Sequence, residues 1–147
     1  FNKDLKGIVL RSKTKHNLFS SESNDLLFYY EDISQLEMNN NPSLIEKANE
    51  ELNNIALKLR KKDIKLIVLV APDKYSFYYS DLLDNNYPEP ILFNLLDTLP
   101  KDYLYFNSKR LLTEYKYTNK DLYFLDDTHW SPLTSQIIAN KLKSMIK

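Results

Sequence analysis

Residues 64–70 read Ile-Lys-Leu-Ile-Val-Leu-Val, and no other stretch constrains the fold as much. Apart from Lys65 the run is continuously apolar and rich in β-branched residues. Strands covered on both faces read this way, which predicts a central strand of a parallel sheet. The run stops at Ala71-Pro72-Asp73-Lys74, because proline cannot continue a central strand. Before it, Leu44, Ile45, Ala48, Leu52, Ile55, Ala56 and Leu59 recur at helical spacing and predict an amphipathic helix of about five turns. Asn41 is placed to cap that helix, with Pro42 at its first position. The basic run Lys58 to Lys62 falls at its C-terminus, where it complements the helix dipole. A helix followed by a buried strand is half of an αβ repeat.

The repeat continues toward the C-terminus. Residues 90–97 read as a helix, 103–106 as a strand, 109–115 as a short helix, 122–125 as a strand and 132–146 as a closing helix. In that last helix Leu133, Ile137, Ile138, Leu142, Met145 and Ile146 share a face, with Ser131 as N-cap and Pro132 as first residue. Residues 7–10 and 26–30 read as strands, with polar loops at 13–17, 20–25 and 37–41. Short connections between alternating elements argue a three-layer α/β fold with a mainly parallel sheet. All 147 residues fit one domain.

Composition removes several classes of function. Lysine plus arginine and aspartate plus glutamate number 20 each, so no basic footprint points to nucleic acid. No apolar run approaches the ~20 residues of a membrane helix. No signal peptide is visible, although the chain starts at Phe1 rather than methionine. The absence of cysteine excludes a thiol nucleophile, disulfides and thiolate metal sites. Gly7 is the single glycine, which excludes a glycine-rich phosphate loop. Two histidines far apart give no metal-ligand spacing, so no metal site is expected, and no other cofactor is expected either.

The chemistry concentrates in Asp126-Asp127-Thr128-His129-Trp130-Ser131-Pro132, between an apolar run and a helix. In α/β folds the carboxyl ends of strands house ligands. An imidazole exchanges a proton near neutral pH, and a carboxylate on its other nitrogen makes it a better base. Either Asp126 or Asp127 can reach His129, and Trp130 can wall the site. The plainer alternative is a helix N-terminal turn in which an aspartate caps and His129 is incidental. Lys74 follows the central strand and can face the same crevice, with a surface ion pair as the other reading. Tyr75, Phe77, Tyr78 and Tyr79 form either a stacking platform for a sugar or packing over the sheet end. His16, in a polar loop, reads as a solvated surface residue.

Asp127-Thr128-His129-Trp130 resembles the Asp-Thr-His-Trp signature of the alginate O-acetyltransferase family (AlgX/AlgJ-like), whose members are SGNH-hydrolase-like. Val68 to Lys74, an apolar strand ending in Pro-x-Lys with Tyr78 and Tyr79 soon after, resembles a second family segment. Asn24-Asp25-Leu26-Leu27-Phe28-Tyr29 resembles a third, though it lacks that segment's glycine and tryptophan. The three together span residues 20–147. The resemblance implies O-acyl transfer on an exported or cell-surface polysaccharide, with Asp127 orienting His129 as the base. Trp130, Lys74, Tyr78 and Tyr79, read above as a wall, a contact to an anionic substrate and a stacking platform, are the expected substrate-binding residues, and the partner expected is a polysaccharide or an acyl-donor membrane protein. It also implies an extracytoplasmic location, whether periplasmic, secreted or anchored at the surface.

The family's nucleophile lies in a Gly-Asp-Ser segment after the Asp-Thr-His-Trp element, and Gly-Asp-Ser occurs nowhere here. Ser12 follows a predicted strand without Gly-Asp before it, and Ser20, Ser21 and Ser23 are loop residues. Two expectations follow. The chain is a piece of a longer protein whose serine lies beyond Lys147, or it is a divergent member that has lost catalysis and serves as a binding or scaffold module. The start at Phe1 and the ending at Ile146-Lys147 favour the first.

Overall fold

A computed structural model describes residues 2–4, 9–21, 23–84 and 86–146. Two sheets and seven helices occur among them. Strands β1 (Asn2–Asp4), β2 (Val9–Lys13) and β3 (Asp25–Tyr29) form an antiparallel sheet in that order. Gly7 and Ile8, predicted to open a strand, lie outside the described residues. The strand instead runs on through Lys13, because Leu10 and Ser12 alternate inward while Arg11 and Lys13 face water. Tyr30, predicted as strand, opens α1 (Tyr30–Ser34), and the polar stretch after it contains α2 (Leu36–Asn39), whose Leu36 is buried.

The long helix α3 spans Pro42–Arg60, with the Asn41 side chain accepting a hydrogen bond from the Leu44 amide at 3.4 Å. Ile45 and Ala56 of its apolar stripe are buried, while Leu44 and Ile55 stay exposed. The basic run at its end is structural in part, since Arg60 pairs with Asp102 at 3.0 Å. Asp63 turns the chain in the left-handed region (φ 59°) toward β4.

Strand β4 (Ile67–Val70) is shorter than the apolar run that encodes it. It pairs in parallel with β5 (Leu104–Asn107), from Ile67 opposite Leu104 to Val70 opposite Asn107. The crossover carries α4 (Lys74–Tyr78), a 3₁₀ turn at Tyr79–Asp81 and α5 (Leu92–Thr98). Helix α6 (Ser108–Tyr115) follows β5 directly, and α7 (Pro132–Ile146) closes the chain with the predicted bounds. The α/β architecture holds, and its parallel part is the β4–β5 pair. All four β4 residues are half-buried rather than enclosed. Leu69 packs on the main core, and Val70 faces an apolar groove beneath α3 and α5. β5 is the one strand paired with β4 among the described residues, so β4 is not flanked on both edges as a central strand would be.

The predicted strand at 122–125 does not form. Leu122 and Tyr123 are buried as expected, but the chain reverses beyond them. Tyr123 makes an isolated antiparallel bridge to Trp130, and Phe124 N–H donates to the His129 carbonyl at 3.2 Å. Residues 122–131 thus form a looped reversal that is not a sheet strand. In α7, Ile138 is buried and Ile137, Leu142 and Met145 pack on the core, whereas Leu133 and Ile146 are exposed.

Candidate active site

Loop 122–131 is positioned from below by the junction of β4 and α4. The Tyr123 ring stacks on Phe77 (centroids 5.5 Å apart) and meets Tyr78 edge-on, and its hydroxyl donates to the Pro72 carbonyl at 2.5 Å. Thr134 of α7 donates its hydroxyl to the Leu122 carbonyl at 2.6 Å, and the Ser131 amide donates to the same oxygen at 2.9 Å. From β3, the Leu27 amide reaches the Leu125 carbonyl at 3.4 Å. These contacts hold both arms of the loop and leave its tip, residues 126–129, in solvent.

At that tip Asp127 faces His129. One carboxylate oxygen, Oδ1, accepts the His129 amide at 2.7 Å and lies 2.5 Å from the imidazole Nδ1. Of the two acids left open by the sequence, Asp127 is therefore the one beside the ring. The hydrogen bond from the His129 amide, with that from its side chain, holds the Asp127 carboxyl below its usual range. The two side chains are 77% and 52% exposed, so the imidazole edge bearing Nε2 is accessible. Among the described residues, Nε2 receives no hydrogen bond.

An open groove of about 550 Å³ borders the imidazole, lined by Phe124, His129, Trp130, Pro132, Ser135, Gln136 and Ala139. Phe124 is 44% exposed at its edge. Trp130 is half-buried there. Phe124, Ser135 and Gln136 were not singled out by the sequence reading. A signal existed, because Pro132, Ser135, Gln136 and Ala139 follow the i, i+3, i+4, i+7 spacing of one helical face.

Lys74 and Tyr78 do not stand where a substrate contact requires. The Lys74 side chain has no solvent exposure, and its ammonium donates to the Leu125 and Asp127 carbonyls at 2.8 and 2.9 Å. Burial draws its pKa down to about 8, against the opposing pull of Asp32, Asp126 and Asp127. Tyr78 is a core residue, as are Tyr75 and Phe77. Tyr79 is half-buried with its ring edge-on to Tyr75 at 5.6 Å, and it lies outside the lining of the groove. The aromatic cluster after β4 is thus packing. Asp73 caps α4, accepting from the Ser76 amide and hydroxyl at 2.6 Å each. Ser12 is buried in β2, and Ser20 is tied to Asp121. His16 is exposed, with its ring edge against Tyr117.

Residues 23–147 match the model of the SGNH hydrolase-like domain of the acetyltransferase AlgX. The chain belongs to that family. Among solved structures it is similar to Bacillus cereus PatB1, determined with a sulfonyl adduct, at TM-score 0.55 and 20% identity. That likeness concerns the fold, and it covers 71% of this chain and 38% of PatB1. The chain therefore spans well under half of that relative's length. No curated protein matches the chain. In this AlgX-like domain the matched residues include Asp127, Thr128 and His129 of the exposed loop tip and the half-buried Trp130 that follows them.

A second carboxylate near this AlgX-like site went unnoticed in the sequence. Asp32 of α1 is half-buried, and its Oδ2 is sealed from solvent without a hydrogen-bond partner. Burial, reinforced by the Asp73 charge, pushes its pKa up to about 7. An unfolded aspartate gives up its proton near pH ~3.9. Between that value and pH 7 the folded state therefore binds more protons, and this group's contribution makes stability fall as pH rises. Asp73, also raised by burial, acts with the same sign. Asp32→Asn is expected to shrink the loss of stability between pH 5 and 7, measured by urea unfolding. An unchanged pH slope would show that Asp32 is ionised throughout.

Proposed function

We propose that this domain carries the histidine and aspartate of a serine-dependent site that moves acetyl groups on or off hydroxyls of an exported or cell-surface polysaccharide. One observation carries the reading: Asp127 Oδ1 sits 2.5 Å from Nδ1 of an exposed imidazole that lines a groove. That arrangement sets the tautomer with Nδ1–H donating to Asp127 and Nε2 free as the base. The serine hydroxyl gives its proton to Nε2 as its oxygen attacks the ester carbonyl. The leaving alkoxide takes that proton back as the acyl-serine forms. A sugar hydroxyl then surrenders its proton to Nε2 as its oxygen takes the acetyl group, and the departing serine oxygen recovers that proton from Nε2. The serine belongs to a segment outside residues 1–147. The acyl donor is an ester or a membrane-bound donor protein, and the site works outside the cytoplasm.

Phe124 and Trp130 offer apolar ring faces, and Ser135 and Gln136 offer polar groups, a combination suited to a pyranose ring. Phe124→Ala is expected to raise KM for an oligosaccharide acceptor severalfold while leaving hydrolysis of a small chromogenic acetyl ester unchanged. Equal KM for the acceptor in both proteins would remove the groove from the proposal. The whole reading is tested by acetyl release and transfer in the full-length protein, and wild-type turnover in His129→Ala would sink it.

A second reading, a glycan-binding or scaffold module without catalysis, is favoured by one fact. Among the described residues no serine hydroxyl is bonded to His129. It predicts oligosaccharide binding that survives His129→Ala, with no acetyl release by the wild-type protein.

A further inference from the structure

We infer that Lys74 is the positioning residue of the Asp127–His129 pair, a buried ammonium that holds the loop in the one shape that lets Asp127 reach the imidazole. The inference rests on the acetyl-transfer reading of that site. A lysine without exposure is rare, since burying an ammonium is costly unless its donors are matched. Here the acceptors are two main-chain carbonyls, Leu125 and Asp127, on either side of Asp126. Carbonyls two residues apart converge on a single cation only if the chain bends between them. The ammonium thereby fixes the backbone from which the Asp127 side chain starts.

The same Asp127 that gives its carbonyl to Lys74 gives its carboxylate to the His129 amide and Nδ1. Lys74 itself is anchored two residues after Pro72, whose carbonyl receives the Tyr123 hydroxyl. The loop is therefore fastened to the β4–α4 junction by two contacts, one on its rising arm at Tyr123 and one across its tip. Asp32, Asp126 and Asp127 all act electrostatically on the ammonium, with Asp32 first, and each favours its charged form. A role in packing alone does not account for the choice of residue. Methionine fills much the same volume at no cost in desolvation, but it cannot gather two carbonyls.

Lys74→Met and Lys74→Gln in the full-length protein test this, with a small chromogenic acetyl ester as substrate. Misplacing a catalytic group by about 1 Å costs on the order of 10²-fold. In Lys74→Met kcat is expected to fall by about that factor with KM unchanged. Hydrogen exchange at the His129 amide is expected to quicken severalfold. Lys74→Gln keeps a neutral donor for one carbonyl and is expected to retain more kcat than Lys74→Met. If Lys74→Met does not fold, Lys74→Gln decides, with a kcat loss of tenfold or more at constant KM expected. Wild-type kcat and wild-type exchange in a folded variant overturn the inference and leave acetyl transfer standing. Faster exchange in the variant of a protein whose wild type releases no acetyl group keeps the clamp and removes acetyl transfer.

Discussion

His129→Ala is expected to lower acetyl-ester turnover by about 10⁴- to 10⁶-fold in the full-length protein. The magnitude follows from what the imidazole does. Without it the serine has no proton acceptor, and in triads of this kind losing the histidine costs about as much as losing all three members. Asp127→Asn is expected to cost about 10⁴-fold, because an amide donating to Nδ1 reverses the tautomer and places the proton on Nε2. Both losses should appear in kcat. Stability should barely change, since the pair is exposed and exposed ion pairs contribute ~0–1 kcal/mol. Loss of activity with an unmoved melting temperature is the expected joint result. A large fall in melting temperature would show that the loop is a structural element first.

The largest effect on stability is expected at the opposite end of α4. Lys116 and Asp81 form an ion pair at 2.6 Å with side-chain exposures of 4% and 1%. The ammonium also donates to the Phe77 carbonyl and Ser80 hydroxyl at 3.2 Å each, and Tyr117 donates its hydroxyl to the other Asp81 oxygen at 2.9 Å. Removing one partner leaves the other charge buried and alone, which costs about 3–5 kcal/mol. Asp81→Ala is therefore expected to lower the melting temperature by roughly 10 °C, at about 2–4 °C per kcal/mol for a chain of this size. Replacing both charges, as in Asp81→Leu with Lys116→Met, should recover much of the loss, because neither charge is then stranded. A single substitution no worse than the double one would show that water reaches the pair.

The stretches that sequence periodicity located were those whose neighbours in the chain are also their neighbours in space. Helix α3 starts at Pro42 because Asn41 satisfies a free amide there. Helix α7 runs from Pro132 to Ile146 for similarly local reasons, with the Ser131 hydroxyl 3.5 Å from the Thr134 amide. The Asp127–His129 pair is local as well, two residues apart on one turn. Tyr123 shows the limit. Its run is as apolar as a strand, and the residue is buried, but burial in an aromatic cluster and burial in a sheet leave the same mark on a sequence.

Sequence by itself determined the α/β alternation, the two long helices and the turn that carries Asp127 and His129. Caps, helical spacing and adjacent polar groups act within a few residues, so they are written in the order of the chain. Tertiary structure alone decided that Lys74 is buried beneath that turn, 51 and 53 residues from the carbonyls it holds. It alone decided that Tyr78 is core, and that Phe124 and one face of α7 make the groove beside His129. The reason is physical. A lysine or tyrosine is read as surface or core only by what the rest of the fold brings against it, and that matching is made by packing across the molecule.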